Sequence, residues 1–590
     1  MGSFGCLDLY TYQEIKHLRF MKAHNRIFDL FKNSPILFAI LISISQAQTI
    51  SIHDTVIASI NPEFYGIQYH NHTYNDPHAL AKLRPLQIKS VRLWAKLNDF
   101  HPQPEVWQWD ALDAKINEVV AAGFEPTVCL YQSEQWFTGN ADAPWWNDST
   151  AVSEWQKAAF RLADRYKDVV HRYIIFDEIN MMHPEDGYYI SFRESAQLYC
   201  KAAAQIKKAD ALLQCGGPSS FGGWENGHWA EYVLKEPDGS RLLDFISSNL
   251  FLSWNSDDPD SLIMNRTIWY EEAPMKIKST LGNQTPATLM LDAYNVSALW
   301  QKDGELWTDP RNTNFFGGVY QAAALMHAAK GGFSIALHWE TLGGYGILDW
   351  YSQFNPLPPY FAWRFMVEIA GLKAGSQIIG CTTDETPKLN VQHHGGMNVN
   401  AYNVQPFAIR QGDSCISVVL INKYQQSDRV LRVAVPDTVP FYSVYRFDAR
   451  HVETCFTSVS QGKAGSFLEI NCPARSVTVV KFFRNQPVEI PLSGGNQPEK
   501  FKISAVFPNP FNGAVHIDFR INKSGPVQID VFSSTGQKVG TILHNYLRSG
   551  RHSIIWHPDK NGKQRLASGI YYLRFRQGRE AELCKVLYLK

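Results

Sequence analysis

Tyr173-Ile-Ile-Phe-Asp-Glu-Ile-Asn180 opens as an apolar run that leads into two adjacent carboxylates. Its apolar residues are consecutive rather than alternating, so it reads as a strand buried on both faces, as in a parallel sheet. Other runs share this character: Phe64–Tyr69, Ser90–Trp94, Glu125–Tyr131, Leu212–Gly216, Phe245–Leu250, Thr288–Leu291 and Phe333–Trp339, with the opening one taken as Tyr173–Ile179. Amphipathic stretches such as Trp155–Tyr166 and Ser195–Lys208 lie between them. Strands and helices therefore alternate. Eight βα units over roughly 300 residues predict a TIM (β/α)8 barrel. An open, doubly wound sheet also satisfies the alternation, but no Gly-rich phosphate loop follows the first run.

After Gly371 the pattern changes. Cys415–Asn422, Val430–Val435, Tyr442–Phe447 and Ser476–Phe483 are short strands with little helix between them. They predict an antiparallel β-sandwich flanking the barrel. Arg484–Lys500 carries Pro487, Pro491, Gly494, Gly495 and Pro498, a linker composition. A last β-rich unit opens with Val506-Phe-Pro-Asn-Pro-Phe-Asn512 and runs through a Ser-Thr-Gly turn ending at Gly536 to Ser568-Gly-Ile-Tyr-Tyr-Leu-Arg-Phe575. It reads as a small Ig-like sandwich with a hairpin turn. Those two runs resemble the C-terminal sorting domain of the bacterial type IX secretion system. A generic carbohydrate-binding or Ig-like module is the other reading. The expected division is residues 1–48 (signal peptide and N-terminal extension), 49–370 (barrel), 371–483 (sandwich), 484–500 (linker) and 501–590 (sorting domain).

Lys22, Arg26 and Lys32 precede an apolar segment, Ser34–Ser45, which Gln46-Ala47 follows. Basic, then apolar, then small is the order of a signal peptide, and the segment is short for a membrane span. Met21 makes a better start than Met1, leaving residues 1–20 as an extension. No later stretch is long and apolar enough to cross a bilayer, so no transmembrane segment is expected in the mature chain. Lys+Arg and Asp+Glu both total 56. That balance gives no electrostatic reason to expect nucleic acid or an anionic membrane as partner. The 9 cysteines are odd in number and thinly spread, which is not a disulfide framework. Cys129 and Cys215 read as buried thiols, while a pair among Cys415, Cys455 and Cys472 is placed to bridge. No Cys-x-x-Cys or His-x-x-x-His spacing occurs, and His393 and His394 beside two glycines read as a loop tip. No metal and no cofactor is expected. The 17 Trp and 26 Tyr serve cores first, and some are expected to line a groove where flat rings stack on sugar faces.

Working residues of TIM barrels stand where strands end. Strand 4 ends on Asp177-Glu178-Ile179-Asn180, and strand 7 on Asp292-Ala-Tyr-Asn295. Glycoside hydrolysis needs two carboxyls, one to protonate the leaving oxygen and one to attack or stabilise the anomeric carbon. Trp339 at the end of strand 8 is the expected sugar platform, and Glu340 after it a reserve carboxylate. Taken singly, strand-end acids more often cap helices or pair with arginine.

Asp177-Glu178-Ile179-Asn180 resembles the Asn-Glu-Pro-Asn signature of clan A glycoside hydrolases, closest to family 39. Other pieces agree in order: Ser90-Val-Arg-Leu-Trp94; Trp136, Pro144 and Trp155; Leu243-Asp-Phe-Ile-Ser-Ser-Asn249; Gly346-Ile-Leu-Asp349 with Pro358-Pro-Tyr360; Val418-Val-Leu-Ile-Asn-Lys423; and Ala474-Arg-Ser-Val-Thr478. The resemblance covers about residues 60–483. It implies a retaining glycosidase with Glu178 as acid/base and Asp292 at the nucleophile position. The expected sugar-binding set is Asp177, Asn180, Arg92, Trp136, Asn249 and Tyr294, with Trp339 and Glu340. The family would have Glu at 292, Asn at 177 and His at 249. An Asp at 292 withdraws its carboxylate by roughly an ångström, toward the wider spacing of inverting pairs. Arg92 is expected to neutralise Asp292. Asp177 is expected to keep Glu178 protonated and to favour amino or N-acylamino sugars over uronic acids, unless it pairs with an arginine. The partner is then an external polysaccharide or its fragments. The competing reading is a surface protein that binds glycans on a degenerate barrel without turnover.

Overall fold

The eight apolar runs all contribute strands, and in the computed structural model they close into a parallel barrel. The structure describes residues 48–590 except 71–72, 133–135, 137–144, 182–189, 351–353, 389–395, 398, 487–501, 508, 510, 522–523, 548–549, 559–565 and 579. The signal peptide, Pro144, the His393–His394 tip and most of the linker lie outside the described residues.

The first described strand, β1 (Gln48–Ser59), is not part of the barrel. The barrel strands are β2 (Tyr65–Gln68), β3 (Ser90–Lys96), β4 (Glu125–Tyr131), β5 (Arg172–Ile175), β6 (Gln214–Phe221), β7 (Phe245–Ser253) and β8 (Thr288–Ser297). After a small hairpin, β9 (Gln301–Lys302) and β10 (Glu305–Leu306), strand β11 (Ile335–His338) pairs with both β8 and β2 and closes the ring. Cys129, Ile174, Phe245, Met290, Ile335 and Leu337 fill the interior, with Trp94 packed on them. Gly216 is required there: a Cβ would meet the Phe245 ring at 2.2 Å. The helices are punctuated as their sequences demand. Asp148 caps Ser149–Tyr166 by accepting from Thr150 and Ala151 N–H, and Ser191 with Glu194 forms a capping box on Phe192–Ala209.

The flanking sheet comprises β12 (Gln377–Thr383), β13 (Val404–Gln411), β14 (Cys415–Asn422), β15 (Arg429–Ala434), β16 (Phe441–Phe447), β17 (Ser460–Lys463), β18 (Phe467–Cys472) and β19 (Ser476–Phe483). Its order is β17-β16-β19-β14-β13-β12-β1-β15-β18. β1 thus sits inside this sheet, antiparallel to β12 and parallel to β15. The expected boundary at residue 49 therefore assigns this strand to the wrong layer. Along β14 the faces alternate with period two. Ile416, Val418 and Leu420 join the sheet's own core, and Val419 and Ile421 join the core shared with the barrel. Cys415, Cys455 and Cys472 are all free thiols, so the expected bridge is absent; Cys129 and Cys215 are buried thiols.

The chain divides into two compact units at Pro487. The second has a three-stranded sheet, from β20 (Lys502–Phe507), β21 (Val515–Ile521) and, later, β24 (Gly550–Trp556). Its four-stranded sheet uses β22 (Gly525–Ser533), β23 (Lys538–Leu547), β25 (Gly569–Gln577) and β26 (Glu580–Tyr588). The Ser-Thr-Gly turn joins β22 to β23, with Gly536 in the left-handed region at φ 84°. Asn509 ties the Pro-Asn-Pro-Phe-Asn run to β26: its Nδ2 donates to Lys585 O at 2.9 Å and its Oδ1 accepts from Leu587 N–H at 2.8 Å.

Candidate active site

β5 stops at Ile175 because the next residues leave extended backbone. Phe176 and Glu178 both adopt left-handed φ, 77° and 50°, which costs of order 1–3 kcal/mol each for such residues. Surrounding contacts hold them there. The Phe176 ring stacks on Trp155 at 5.5 Å, and Glu178 N–H donates to Ser219 O at 3.1 Å. Between them Asp177 is bracketed by one side-chain amide. Gln132 Oε1 accepts its N–H at 2.9 Å, and Gln132 Nε2 donates to its carbonyl.

Arg92, wholly buried in the barrel mouth, organises the acids. Its Nη2 lies 2.9 Å from Asp177 Oδ1 and its Nε 3.0 Å from Asp292 Oδ1. Asp292 Oδ2 accepts from Ser219 Oγ at 2.6 Å, and Gln68 Nε2 donates to the Asp292 carbonyl at 2.8 Å. Asn249 Nδ2 donates to both Asp177 Oδ1 (3.0 Å) and Glu178 Oε1 (3.1 Å). Trp94 Nε1 donates to Asp177 Oδ2 at 2.9 Å. Asp292 has no exposed surface, whereas Glu178 is partly exposed.

Three carboxyls share one guanidinium, so the cluster favours holding a proton. Burial pushes the Glu178 carboxyl up to about 7, and the neighbouring Asp177 charge adds to it; the Asn249 amide opposes. Burial also pushes Asp292 up, to about 6, against the pull of Arg92 and of the Ser219 hydroxyl. Glu178, opposed only by the Asn249 amide and the Arg92 charge, is the better holder of the proton. It can give a proton to a leaving group near neutral pH.

Known proteins share this architecture. A bifunctional glucanase-xylanase from a metagenome library aligns over 74% of this chain and 99% of its own, at TM-score 0.52 and 17% identity. An α-L-arabinofuranosidase from Thermotoga maritima gives 74%, 99%, 0.54 and 13%. A monomeric β-xylosidase from Caulobacter crescentus CB15 gives 74%, 99%, 0.51 and 15%. The fold is that of TIM-barrel glycosidases. Residues 505–588 match the family described as the secretion system C-terminal sorting domain. No curated protein matches this chain in sequence.

Within this glycosidase-type barrel the other expected residues divide. Trp339 is half-buried, with its ring edge-on to Trp94 at 5.3 Å and to Phe251 at 6.1 Å. Glu340 meets His70 Nδ1 at 3.2 Å, and His70 contacts the exposed Trp350 ring. Asn180 clamps the end of β6: it donates to Phe221 O at 3.0 Å and accepts Phe221 N–H at 2.9 Å. Two expectations are corrected. Trp136 is fully buried, its Nε1 donating to His101 O, in a cluster with Trp145. Tyr294 is also fully buried and accepts from Gln321 of the helix layer. Neither ring can touch a sugar. Asp177 shares Arg92 with Asp292, so the arginine pair weighed against a preference for amino or N-acylamino sugars is present. Ser219, Trp94, Gln132 and His70 escaped the sequence reading. Of these only Trp94 lay in a quoted motif, and the small-residue run Gly216-Gly-Pro-Ser-Ser220 carries no hint of the Ser219 hydroxyl.

Proposed function

We propose that this protein hydrolyses O-glycosidic bonds of an extracellular oligo- or polysaccharide, with Glu178 as general acid/base. The observation that carries the reading is the partly exposed Glu178 carboxyl, pushed up to about 7 by burial and by Asp177. As the acid it protonates the leaving oxygen; as the resulting carboxylate it takes the proton of the attacking water. Arg92 pairs with Asp177 and Asp292 beside Glu178, and negative charge there favours an oxocarbenium-like transition state. Asp292 has no exposed surface, so attack by Asp292 itself requires an opening to its buried carboxylate. Among clan A families the ordered motifs are most like family 39, and the acids at 177 and 292 and the amide at 249 set this chain apart. The sorting domain, with the basic-apolar-small N-terminal segment, supports export to the cell surface or beyond by the type IX machinery.

A screen of the intact chain on aryl glycosides and polysaccharides, with Glu178→Gln beside it, tests the assignment. Turnover that the substitution reduces by about 100-fold or more, the low end of general acid–base contributions, is the expected result. Glycan binding without turnover in both proteins would establish the non-catalytic reading instead.

A further inference from the structure

We propose that the substrate is a glycoside of a 2-acylamino sugar, and that its own acylamino oxygen, not Asp292, attacks the anomeric carbon. This rests on the glycosidase reading above and adds to it the substrate class and the nucleophile.

Asp292 is badly disposed to attack. It has no exposed surface, its Oδ1 is paired with buried Arg92 at 3.0 Å, and its Oδ2 accepts from Ser219 at 2.6 Å. A water held by Asp292 for direct displacement needs the same opening. A nucleophile that arrives with the substrate needs neither.

Asp177 is disposed to assist one. It is adjacent in sequence to Glu178, and one nitrogen, Asn249 Nδ2, lies 3.0 Å from Asp177 and 3.1 Å from Glu178. A glycosidic oxygen at Glu178 therefore brings the neighbouring C2 substituent to Asp177, whose side chain keeps 12% exposure. An ionised carboxylate offers about four acceptor positions. Arg92 and Asn249 occupy Oδ1, and Trp94 Nε1 occupies one position on Oδ2. The remaining Oδ2 position calls for an N–H donor. An amide N–H fills it, and unlike an ammonium group it brings a carbonyl oxygen for the donor described next.

Two more polar atoms support an amide ligand. Asn249 Oδ1 is buried with no partner, in a residue only 3% exposed, and Trp339 Nε1 also lacks one. Buried polar atoms are rarely left so. Trp339 packs on Trp94, the indole that holds Asp177. Around Asp177 the protein thus leaves open acceptors and a donor, the complement of an amide N–H and C=O.

In the first step the acylamino carbonyl oxygen forms a bond to C1 as the C1–O glycosidic bond breaks. The leaving oxygen takes the Glu178 proton. The ring nitrogen of the resulting oxazolinium ion keeps its N–H on the Asp177 carboxylate. In the second step water attacks C1 and Glu178 takes its proton. The C1–O bond of the oxazolinium breaks, and its electron pair restores the carbonyl. The sum is hydrolysis with retention.

The test compares 4-nitrophenyl 2-acetamido-2-deoxy glycosides of gluco and galacto configuration with their 2-hydroxy parents, using the intact chain. The acetamido substrates are expected to exceed the parents in kcat/KM by at least about 100-fold, the scale of one preorganised hydrogen-bonding group. Among mono-, di- and trifluoroacetamido analogues kcat should fall steadily, because fluorine drains the attacking oxygen. This series needs no variant, so it stands even if Asp177→Asn misfolds. Where Asp177→Asn folds, it should lower kcat more than it raises KM. Turnover of 2-hydroxy glycosides alone, or a flat fluorine series, would overturn the proposal and leave the glycosidase reading intact. Turnover of neither class would remove both.

Discussion

Ser219 Oγ donates to Asp292 Oδ2 at 2.6 Å from a residue in left-handed backbone, φ 52°. The bond spans β6 and β8 and is one of two supports for a carboxylate with no contact with solvent. Ser219→Ala leaves a buried oxygen unpaired, which costs about 1–3 kcal/mol. The hydroxyl also holds the Asp292 carboxyl down, so its loss should raise that group further above about 6. Thermal denaturation and a pH titration followed at Asp292 check both effects.

Glu178 should set the alkaline limb of activity. With its carboxyl at about 7, kcat/KM should fall as pH rises through that value. The same group affects stability. Its folded value lies above the ordinary glutamate value, so its contribution is full below about 4.3 and is lost as pH rises through about 7. Denaturant unfolding at pH 5 and pH 8 should therefore show a loss that Glu178→Gln flattens. An unchanged pH slope in that variant would count against the shifted carboxyl.

Arg92 faces two acids with no exposed surface of its own. Arg92→Met should destabilise by about 3–5 kcal/mol, the cost of leaving buried charge uncompensated. Adding Asp292→Asn should recover part of that, since it removes one of the stranded carboxylates. Urea midpoints of the single and double variants measure the coupling.

Trp339→Ala should weaken binding of an oligosaccharide substrate by about 1–3 kcal/mol if the half-buried ring carries a sugar face. Isothermal titration on a Glu178→Gln background reads the loss without turnover. Unchanged affinity with a lowered melting temperature would reduce Trp339 to support for Trp94.

A chain ending at Arg484 should fold and keep whatever activity the intact chain has. The compact units divide at Pro487, and strand β19 is complete at Phe483. Circular dichroism melting of the shortened chain, together with its kcat/KM, is the check.

The barrel was legible because its strands are apolar throughout and long enough to stand out between amphipathic helices. What the sequence hid was local. Tyr173–Ile179 looks like one strand, yet it bends at Phe176, and left-handed φ in a phenylalanine has no signature in composition. The strand-end positions of Glu178 and Asp292 were readable, as was the pairing of Arg92 with Asp292. Trp136 and Tyr294 misled because an aromatic residue suits a core and a groove equally; neighbours decide, and those neighbours are distant in sequence. Arg92 stands on β3 and Asp177 just past the end of β5, so sequence alone offers their pairing only as an alternative. β1 was misplaced because the run Gln48–Ser59 carries no mark of partners at 377–383 and 429–434.

That strand has a consequence for the order of events in folding. β1 joins β12 to β15, so the sheet remains in two parts until the first described strand meets segments made more than 300 residues later. Contacts so distant in sequence form slowly, because a long loop must close before they stabilise anything. The barrel can be synthesised whole while β1 waits beside it with both hydrogen-bonding edges bare. A nascent chain in that state invites pairing with other strands. Deleting residues 48–59, or tagging directly at Gln48, should therefore harm the yield of folded protein more than its remoteness from Glu178 implies.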